Sequence, residues 1–186
     1  METFRCFGTG DPLYEAYHDE EWGVPPSSSA DEHELFERMS LEAFQSGLSW
    51  ITILRKREGF RAAFAGFDPA AVAAFGDDDV ARLMADVGIV RNRAKIDATI
   101  ANARALLEMH TRGERLAEVF EAHRPPARAA RLARLDQMPA STPESVALAK
   151  DLKKRGFRFV GPTTAYAAMQ ALGYVDDHVQ GCISAR

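Results

Sequence analysis

The sequence predicts an all-α fold, and three observations support that prediction. Helix-start signals, in which a capping side chain precedes a proline or an acidic residue, recur along the chain. Apolar residues recur at spacings of three and four, as they do on the buried face of a helix. Strand signals are nearly absent. We therefore expect a helical bundle, in which the first and last segments pack together as a second small lobe.

The first two helices are predicted from their starting residues. Ser29-Ala30-Asp31-Glu32 forms a capping box, which should open an acidic helix that runs to about Gly47. Ser49 can cap the next helix, from Trp50 to about Arg57.

Later helices carry similar signals. Asp68-Pro69 and Thr142-Pro143 each place a capping side chain before a proline at the first helical position. A buried helix face is predicted by the stripe Ile96, Ile100, Ala103 and Leu107. Gly113 and Gly156 stand where helices end, and Pro125-Pro126 breaks the chain. The Ala- and Arg-rich residues 127–134 are predicted to be helical.

Length and charge limit the function classes. With 186 residues the chain can form one compact domain. No apolar run approaches the ~20 residues of a membrane span, and no basic-then-apolar leader opens the chain, so we expect a cytoplasmic protein. The net charge is -4 but uneven: residues 1–50 hold 11 acidic and 2 basic side chains, and the remainder holds 16 and 21. This balance permits a nucleic-acid partner without arguing for one.

Four residues near the two ends have the chemistry of metal ligands: Cys6, His18, His178 and Cys182. On a helix, His178 and Cys182 would share one face, since they are four residues apart. A set of two cysteines and two histidines is typical of a closed, tetrahedral structural zinc site. The alternatives are two unrelated cysteines with two surface histidines, or a single disulfide.

Aromatic residues lie in or beside two segments of the chain, and one of these segments contains the carboxylate of Glu42. Tyr14, Tyr17 and Trp22 surround His18, and Trp50 follows the segment that contains Glu42. Flat aromatic rings stack on nucleobases, and they favour cationic bases most. The neighbours of Glu42 are of the interior type, so its carboxylate could point into a cavity. Alternatively, the aromatics fill the core and Glu42 is exposed on an acidic helix.

The C-terminal third of the chain predicts a helix-hairpin-helix. A helix from Glu144 to Arg155 is followed by a tight turn at Gly161-Pro162, and a second helix runs to about Gly173. Open amides at a helix start bind phosphate without sequence preference. The basic residues around the turn are Lys150, Lys153, Lys154, Arg155 and Arg158. The alternative is a simple helical hairpin with a solvated basic face.

Taken together, these stretches resemble the 3-methyladenine DNA glycosylase I family over essentially the whole chain. The matching motifs are Arg5-Cys6, Asp11-Pro12-Leu13-Tyr14, Tyr17-His18-Asp19, Glu21-Trp22-Gly23-Val24-Pro25, Gln45, Ser46-Gly47-Leu48-Ser49-Trp50-Ile51-Thr52, Leu152-Lys153-Lys154-Arg155-Gly156-Phe157, Phe159-Val160-Gly161 and Asp177-His178-Val179 with Cys182. The segment between Cys6 and Asp11 is one residue short of the family's form, and Phe7 stands near a position that often holds tryptophan.

The resemblance implies a role for each candidate residue. One structural zinc ion would be held by Cys6, His18, His178 and Cys182. Glu42 would be the residue that recognises the base, in a pocket shaped by Tyr14, Tyr17, Trp22 and Trp50. The chain would form one glycosylase domain over residues 1–186, in which zinc joins residues 1–25 to residues 174–186.

The hairpin also resembles the wider helix-hairpin-helix glycosylase superfamily, so the implied fold is that superfamily's bundle. Its catalytic aspartate would fall on Asp176, where relatives of this smaller family commonly carry asparagine. Thr163 and Thr164 stand where bifunctional members keep a lysine nucleophile. The resemblance therefore implies a monofunctional hydrolase, active in base excision repair, that cuts the N-glycosidic bond of 3-methyladenine without cleaving the strand.

The expected partners follow from that activity. Double-stranded alkylated DNA would be the substrate, and free 3-methyladenine the product. Leu48 would act as an apolar wedge in the duplex, and the phosphate contacts would come from Gly161, Lys153, Lys154 and Arg158. We expect a monomer. Three rivals are a DNA-binding module without catalysis, a zinc nucleobase deaminase, whose signature is missing, and a catalytic zinc hydrolase, which needs an open metal position.

Overall fold

A computed structural model describes residues 4–27 and 32–185 of the chain. Within them the regular structure is helical, and the one β-type pairing is an isolated parallel bridge between Phe4 and Cys182. The α-helices are α1 (Pro12–Ala16), α2 (His33–Gln45), α3 (Trp50–Ala63), α4 (Pro69–Ala73), α5 (Asp77–Ala85), α6 (Arg93–Thr111), α7 (Leu116–Ala122), α8 (Pro143–Lys154) and α9 (Pro162–Ala171). A π-helical turn (Tyr17–Glu21) and two 3₁₀ turns (Ala65–Phe67 and Leu135–Gln137) complete the regular elements.

One large apolar core joins most of the helices. It is rich in phenylalanine from α2 and α3, with Phe44, Phe60 and Phe64 fully buried and in ring contact. The predicted stripe of α6 is buried at Ile96, Ile100 and Ala103. Helix α9 packs against both α2 and α8, so the predicted hairpin is built directly onto the helix that carries Glu42.

Several predicted helix ends are confirmed. The Asp68 carboxylate accepts from the backbone N–H of Ala70 at 2.9 Å, and the Thr142 hydroxyl accepts from that of Ser145 at 3.2 Å. Gly113 and Gly156 have φ of +74° and +96°, the left-handed conformation that ends helices.

The second predicted helix boundary is wrong. Helix α3 does begin after Ser49, but it continues to Ala63 instead of ending near Arg57. The Ser49 hydroxyl lies 2.8 Å from the Thr52 hydroxyl and caps no backbone amide. The capping box at Ser29 lies outside the described residues, which begin α2 at His33.

The prediction of helix over residues 127–134 is also wrong, since these residues have no regular structure. Their side chains and backbone bind the end of the chain instead. Arg128 donates to Asp177 at 3.0 Å, Arg131 pairs with Asp176 at 2.7 Å, and the Leu132 carbonyl accepts from the Gln180 amide at 2.9 Å. These tertiary contacts outweigh the helix propensity of the alanines.

The expectation that His178 and Cys182 share a helix face is wrong as well. Residues 174–185 contain no helix. Instead, the two ends of the chain pair: the Phe4 amide donates to the Gly181 carbonyl at 3.3 Å, and the Ile183 amide donates to the Phe4 carbonyl at 3.0 Å.

In the described part of the chain, no helix combines the length and apolar character that crossing a bilayer requires.

Candidate functional site

Aromatic rings cluster where the N-terminal segment meets α2 and α3, and we call this cluster the aromatic pocket. The Tyr17 ring lies 5.2 Å from the Trp50 ring and 6.4 Å from the Tyr14 ring, centroid to centroid. Tyr17 and Trp22 are buried, whereas Tyr14 and Trp50 are partly exposed. The structure therefore brings together the four predicted aromatics, and two of them have surface left to contact a ligand.

Glu42 is buried beside these rings. Its exposed fraction is 6%, and no described residue forms a hydrogen bond or an ion pair with its carboxylate. Burial raises the pKa of Glu42 to about 8. The charge of Glu42 in turn adds to burial in raising the pKa values of Tyr14 and Tyr17, which places both phenols near the carboxylate. A buried carboxylate with no protein partner is the arrangement expected where a ligand supplies the donors.

Trp50 adds a second unsatisfied polar group. Its indole Nε1 is buried and makes no hydrogen bond to a described residue. The pocket thus offers one acceptor group and one donor group among flat aromatic faces, which is the chemistry that binds a nucleobase.

Phe7 also lies among the pocket aromatics, although it was not predicted as a pocket residue. Its ring is 5.1 Å from Tyr14 and 4.9 Å from Trp22. Gly8 makes this packing possible: it has φ of +86°, and a β-carbon there would lie 2.9 Å from the Tyr14 carbonyl oxygen. The shortened Cys6–Asp11 segment therefore still delivers an aromatic ring to the pocket wall. The sequence feature that could have identified Phe7 as a pocket residue is its position beside Cys6.

The predicted metal ligands converge where the two ends of the chain meet. Cys6, His18 and Cys182 place their ligand atoms within 4.8 Å of one another. His18 Nε2 lies 3.3 Å from Cys182 Sγ, and the two cysteines do not form a disulfide. Burial, together with the neighbouring Cys182 thiol, raises the pKa of Cys6 to about 12. Two thiols and an imidazole form a nitrogen and sulfur donor set that could hold a metal ion.

His178 lies next to this three-residue group but is not part of it. Its ring is 5.2 Å from the His18 ring, and the backbone amide of its neighbour Val179 donates to Cys6 Sγ at 3.3 Å. His178 is 1% exposed, so its imidazole is buried beside this group.

Both histidines are oriented by a carboxylate. His18 Nδ1 lies 2.8 Å from Asp19, and His178 Nδ1 lies 2.8 Å from Asp176. Hydrogen bonding to Arg5 lowers the pKa of Asp19 to about 2. Partial burial opposes ionisation of Asp176, but hydrogen bonds from Arg131 and His178 still lower its pKa to about 2. Ionised carboxylates can only accept, so Nδ1 of each ring is the donor in this hydrogen bond and Nε2 is the ring nitrogen on the opposite side, where a metal would bind.

The predicted phosphate-binding residues lie around an exposed hairpin. Gly161 precedes α9, whose first position is Pro162, and both residues are exposed. Lys153, Lys154 and Arg158 are exposed, and their side chains form no ion pair with a described residue. Arg155 differs from them, because it pairs with Glu114 and with Asp151. Of the five basic residues near the turn, those whose charge is not paired with a described residue are therefore Lys150, Lys153, Lys154 and Arg158.

Leu48 stands at the tip of an exposed turn, residues 46–49, hereafter the wedge turn. Its exposed fraction is 38%, which is high for a leucine. Gln45 closes the turn twice: its carbonyl accepts from the Leu48 amide, and its side-chain amide donates to the Leu48 carbonyl, both at 2.7 Å. The apolar tip is thus presented to solvent on a fixed backbone.

Comparisons with known proteins find similarity over nearly the whole chain. Residues 7–185 match the model of the methyladenine glycosylase family. The chain is 53% identical to DNA-3-methyladenine glycosylase 1 of Escherichia coli strain K12, covering 96% of this chain and 95% of that protein. A crystal structure of 3-methyladenine DNA glycosylase I superposes with a TM-score of 0.91 at 51% identity, covering 98% of this chain and 100% of the other. A tyrosine-to-phenylalanine variant of such an enzyme, in complex with 3-methyladenine, superposes with a TM-score of 0.89 at 33% identity, covering 97% and 96%.

Proposed function

This chain belongs to the methyladenine glycosylase family, and on that premise we propose that its aromatic pocket receives 3-methyladenine against the carboxylate of Glu42. The chain is a DNA glycosylase, a hydrolase of N-glycosyl bonds that removes 3-methyladenine from DNA for base excision repair. The observation that carries the proposal is the buried Glu42 carboxylate, which has no donor among residues 4–27 and 32–185 and lies among rings that can stack on a base.

Glu42 recognises the base through its charge and its acceptor atoms. 3-Methyladenine in DNA is a cation, and an adenine edge presents an exocyclic N–H₂ donor. The cationic base favours the ionised form of Glu42, because an opposite charge nearby offsets the effect of burial on its pKa. The carboxylate then accepts from that donor and neutralises the positive ring, whereas a guanine carbonyl at the same place would meet a second acceptor. The faces of Trp50 and Tyr17 stack on the ring, and Tyr14 and Trp22 shape the pocket around it.

The bond that breaks needs little acid catalysis. Since the alkylated base is already positively charged, it leaves as a neutral molecule when the glycosidic bond cleaves. Water adds to the sugar carbon and loses a proton, which completes the hydrolysis. The enzyme's task is to extrude the nucleotide and to bind the base as its charge is released. Thr163 and Thr164, rather than a lysine, occupy the nucleophile position, so no covalent intermediate forms and the strand stays intact.

Duplex DNA is held by the hairpin and opened by the wedge turn. Lys153, Lys154 and Arg158, with the open amides after Gly161, bind the phosphate backbone. Leu48 enters the base stack where the damaged nucleotide leaves it. These contacts read no sequence, which suits an enzyme that must find a lesion anywhere in the genome.

A structural zinc ion held by Cys6, His18, Cys182 and His178 belongs to the same proposal. The nitrogen and sulfur donor set fits zinc, and the two oriented imidazoles support that assignment. Zinc would supply no chemistry to the reaction; it would fasten residues 1–25 to residues 174–186 as a small lobe of the single domain, residues 1–186. The thiols are suited to the reducing cytoplasm, where a disulfide would not persist.

Incubation with methylated duplex DNA tests the proposed activity. The released bases are separated by chromatography, and the strands are sized on a denaturing gel before and after alkali. We expect free 3-methyladenine, and strand breaks that appear only after alkali. Release of no base, or breaks formed by the enzyme without alkali, would contradict the proposal.

A further inference from the structure

Helix α6 carries three buried polar side chains that neither the pocket nor the metal group uses, of which Thr99 bonds to its own helix and the other two reach other elements. Lys95 is 7% exposed and Asn102 is 2% exposed. Burying either side chain costs free energy unless its polar atoms are hydrogen-bonded. The hydrogen-bond partners of each side chain therefore indicate its role.

Lys95 binds the backbone at the base of the wedge turn. Its ammonium donates to the Phe44 carbonyl at 2.9 Å and to the Ser46 carbonyl at 2.6 Å. These carbonyls lie at the C-terminal end of α2, where a helix presents unpaired acceptors and partial negative charge. Burial lowers the pKa of Lys95, and the two carbonyls compensate for that burial. Lys95 therefore fixes the backbone two residues before Leu48.

Asn102 binds the backbone of the hairpin. Its side-chain oxygen accepts from the Arg158 amide at 2.7 Å, and its side-chain nitrogen donates to the Arg158 carbonyl at 3.0 Å. The residue that follows, Phe159, has φ of +55°, a conformation that a non-glycine residue adopts only when its surroundings impose it. The paired bonds from Asn102 supply that constraint directly before the phosphate-binding turn.

The spacing of the two side chains connects the two loops. Lys95 and Asn102 are seven residues apart, two helical turns, so they share one face of α6 about 10 Å apart along its axis. We propose that α6 sets the distance between the wedge turn and the hairpin, with Lys95 and Asn102 as the positioning residues that fasten each loop to it. This inference rests on the proposed function, in which one loop grips phosphate while the other enters the stack.

The physical reason for such a spacer is mechanical. Pushing Leu48 into the duplex opens it only if the phosphate backbone is held at a fixed distance from the wedge. A misplacement of about 1 Å in a reacting assembly can lower its rate roughly 100-fold. No side chain of the base pocket bonds to Lys95 or Asn102, so we expect base binding to depend little on this distance.

The test uses the full-length protein and the variants Lys95→Met and Asn102→Leu, which remove the hydrogen bonds and keep much of the volume. Lys95→Arg is the conservative variant, and Lys56→Met is the matched control, since Lys56 donates to the Val87 carbonyl at 2.7 Å away from both loops. Three quantities are measured: excision of 3-methyladenine from duplex DNA, affinity for free 3-methyladenine, and fluorescence of 2-aminopurine placed beside the lesion, which reports disruption of the stack.

We expect each loss variant to reduce excision about 10- to 100-fold and to reduce the fluorescence change, with free-base affinity within about twofold of wild type. Lys95→Arg should recover most of the excision, and the double variant should lose little more than either single one, because one spacing is broken in each case.

Two results would overturn the inference: normal excision and stack disruption in both loss variants, or a loss of free-base affinity equal to the loss of excision, which would indicate general structural support. Wild-type protein in the same assays distinguishes failure of this inference from failure of the proposed function. If wild type released no 3-methyladenine, the proposed function would fail, and the inference with it.

Discussion

Asp176 lies 2.8 Å from Nδ1 of His178, so its carboxylate holds the imidazole of a proposed metal ligand. It also accepts a hydrogen bond from the His178 backbone amide at 3.1 Å and pairs with Arg131 at 2.7 Å. Each carboxylate oxygen is therefore already engaged with the protein. This arrangement favours a supporting role for Asp176 over a direct role in the chemistry.

We predict that Asp176→Asn keeps most of the excision activity, with a loss of less than about tenfold, or ~1.4 kcal/mol of transition-state stabilisation. The asparagine oxygen can still accept from His178, and the neutral leaving base needs little stabilisation. The measurement is single-turnover release of 3-methyladenine, with metal content measured in parallel. A drop of about a thousandfold at unchanged metal content and folding would show that Asp176 acts on the reacting sugar.

Glu42 should make the protein's stability depend on pH. Its pKa is about 8 when folded, against about 4.5 unfolded, because burial disfavours the charge. Between these values the folded state holds a proton that the unfolded state has lost, so stability falls as pH rises from about 4.5 to about 8 and then levels off. Glu42→Gln removes this loss of stability at high pH, because glutamine does not ionise.

We predict that Glu42→Gln matches wild type in free energy of unfolding below about pH 4.5, and exceeds it by a few kcal/mol above pH 8, on the scale of ~1.4 kcal/mol per pKa unit. Urea unfolding at a series of pH values measures the gap. Glu118→Gln, on an exposed side chain, is the control and should show no such growth. A constant gap between Glu42→Gln and wild type at all pH values would mean that Glu42 ionises normally.

Trp50 should contribute a stacking face to the base. We predict that Trp50→Ala weakens binding of free 3-methyladenine by ~1 to 3 kcal/mol, the usual value of one base–aromatic stack. Trp50→Phe should keep much of that affinity, because it keeps an aromatic face. Titration calorimetry measures both. Unchanged affinity in Trp50→Ala would assign this ring to core packing alone.

The metal site should be essential for stability and dispensable for base recognition. We predict one tightly held zinc per chain. His178→Ala should lose the metal and much of the stability, while protein that stays folded still binds free 3-methyladenine. His33→Ala, at a half-exposed histidine far along the chain from the proposed ligands, is the control and should keep both metal and stability. Full stability of the metal-free protein would rule out the structural role.

Local chemistry made part of the fold predictable. A capping side chain and the proline after it act within one turn, so the starts of α4 and α8 at Asp68 and Thr142 follow from neighbouring residues alone. The helix predicted over residues 127–134 is wrong. Residues 127–134 have helix-forming composition but bind the chain's end through Arg128 and Arg131, and such partners are distant in sequence.

The candidate site shows the same division. Residue types predicted that Glu42 and the aromatics could form a pocket, but only packing shows that no described side chain bonds to the Glu42 carboxylate. Cys6 and Cys182 were predicted as ligands from their chemistry. Residues 174–185 are not helical, because the end of the chain pairs with Phe4. No periodicity in the sequence predicts that pairing. The roles of Lys95 and Asn102 likewise depend on which backbone groups they reach across the fold.

Release of 3-methyladenine by Glu42→Gln, compared with wild type, tests the central claim most directly. The substrate is methylated duplex DNA, and Glu118→Gln is the matched control. We predict that wild type and the control release 3-methyladenine equally, and that Glu42→Gln, although folded, loses at least about tenfold in rate, or ~1.4 kcal/mol, because the neutral amide cannot balance the cationic base. Equal release by Glu42→Gln and wild type would contradict the assignment of this pocket to the base.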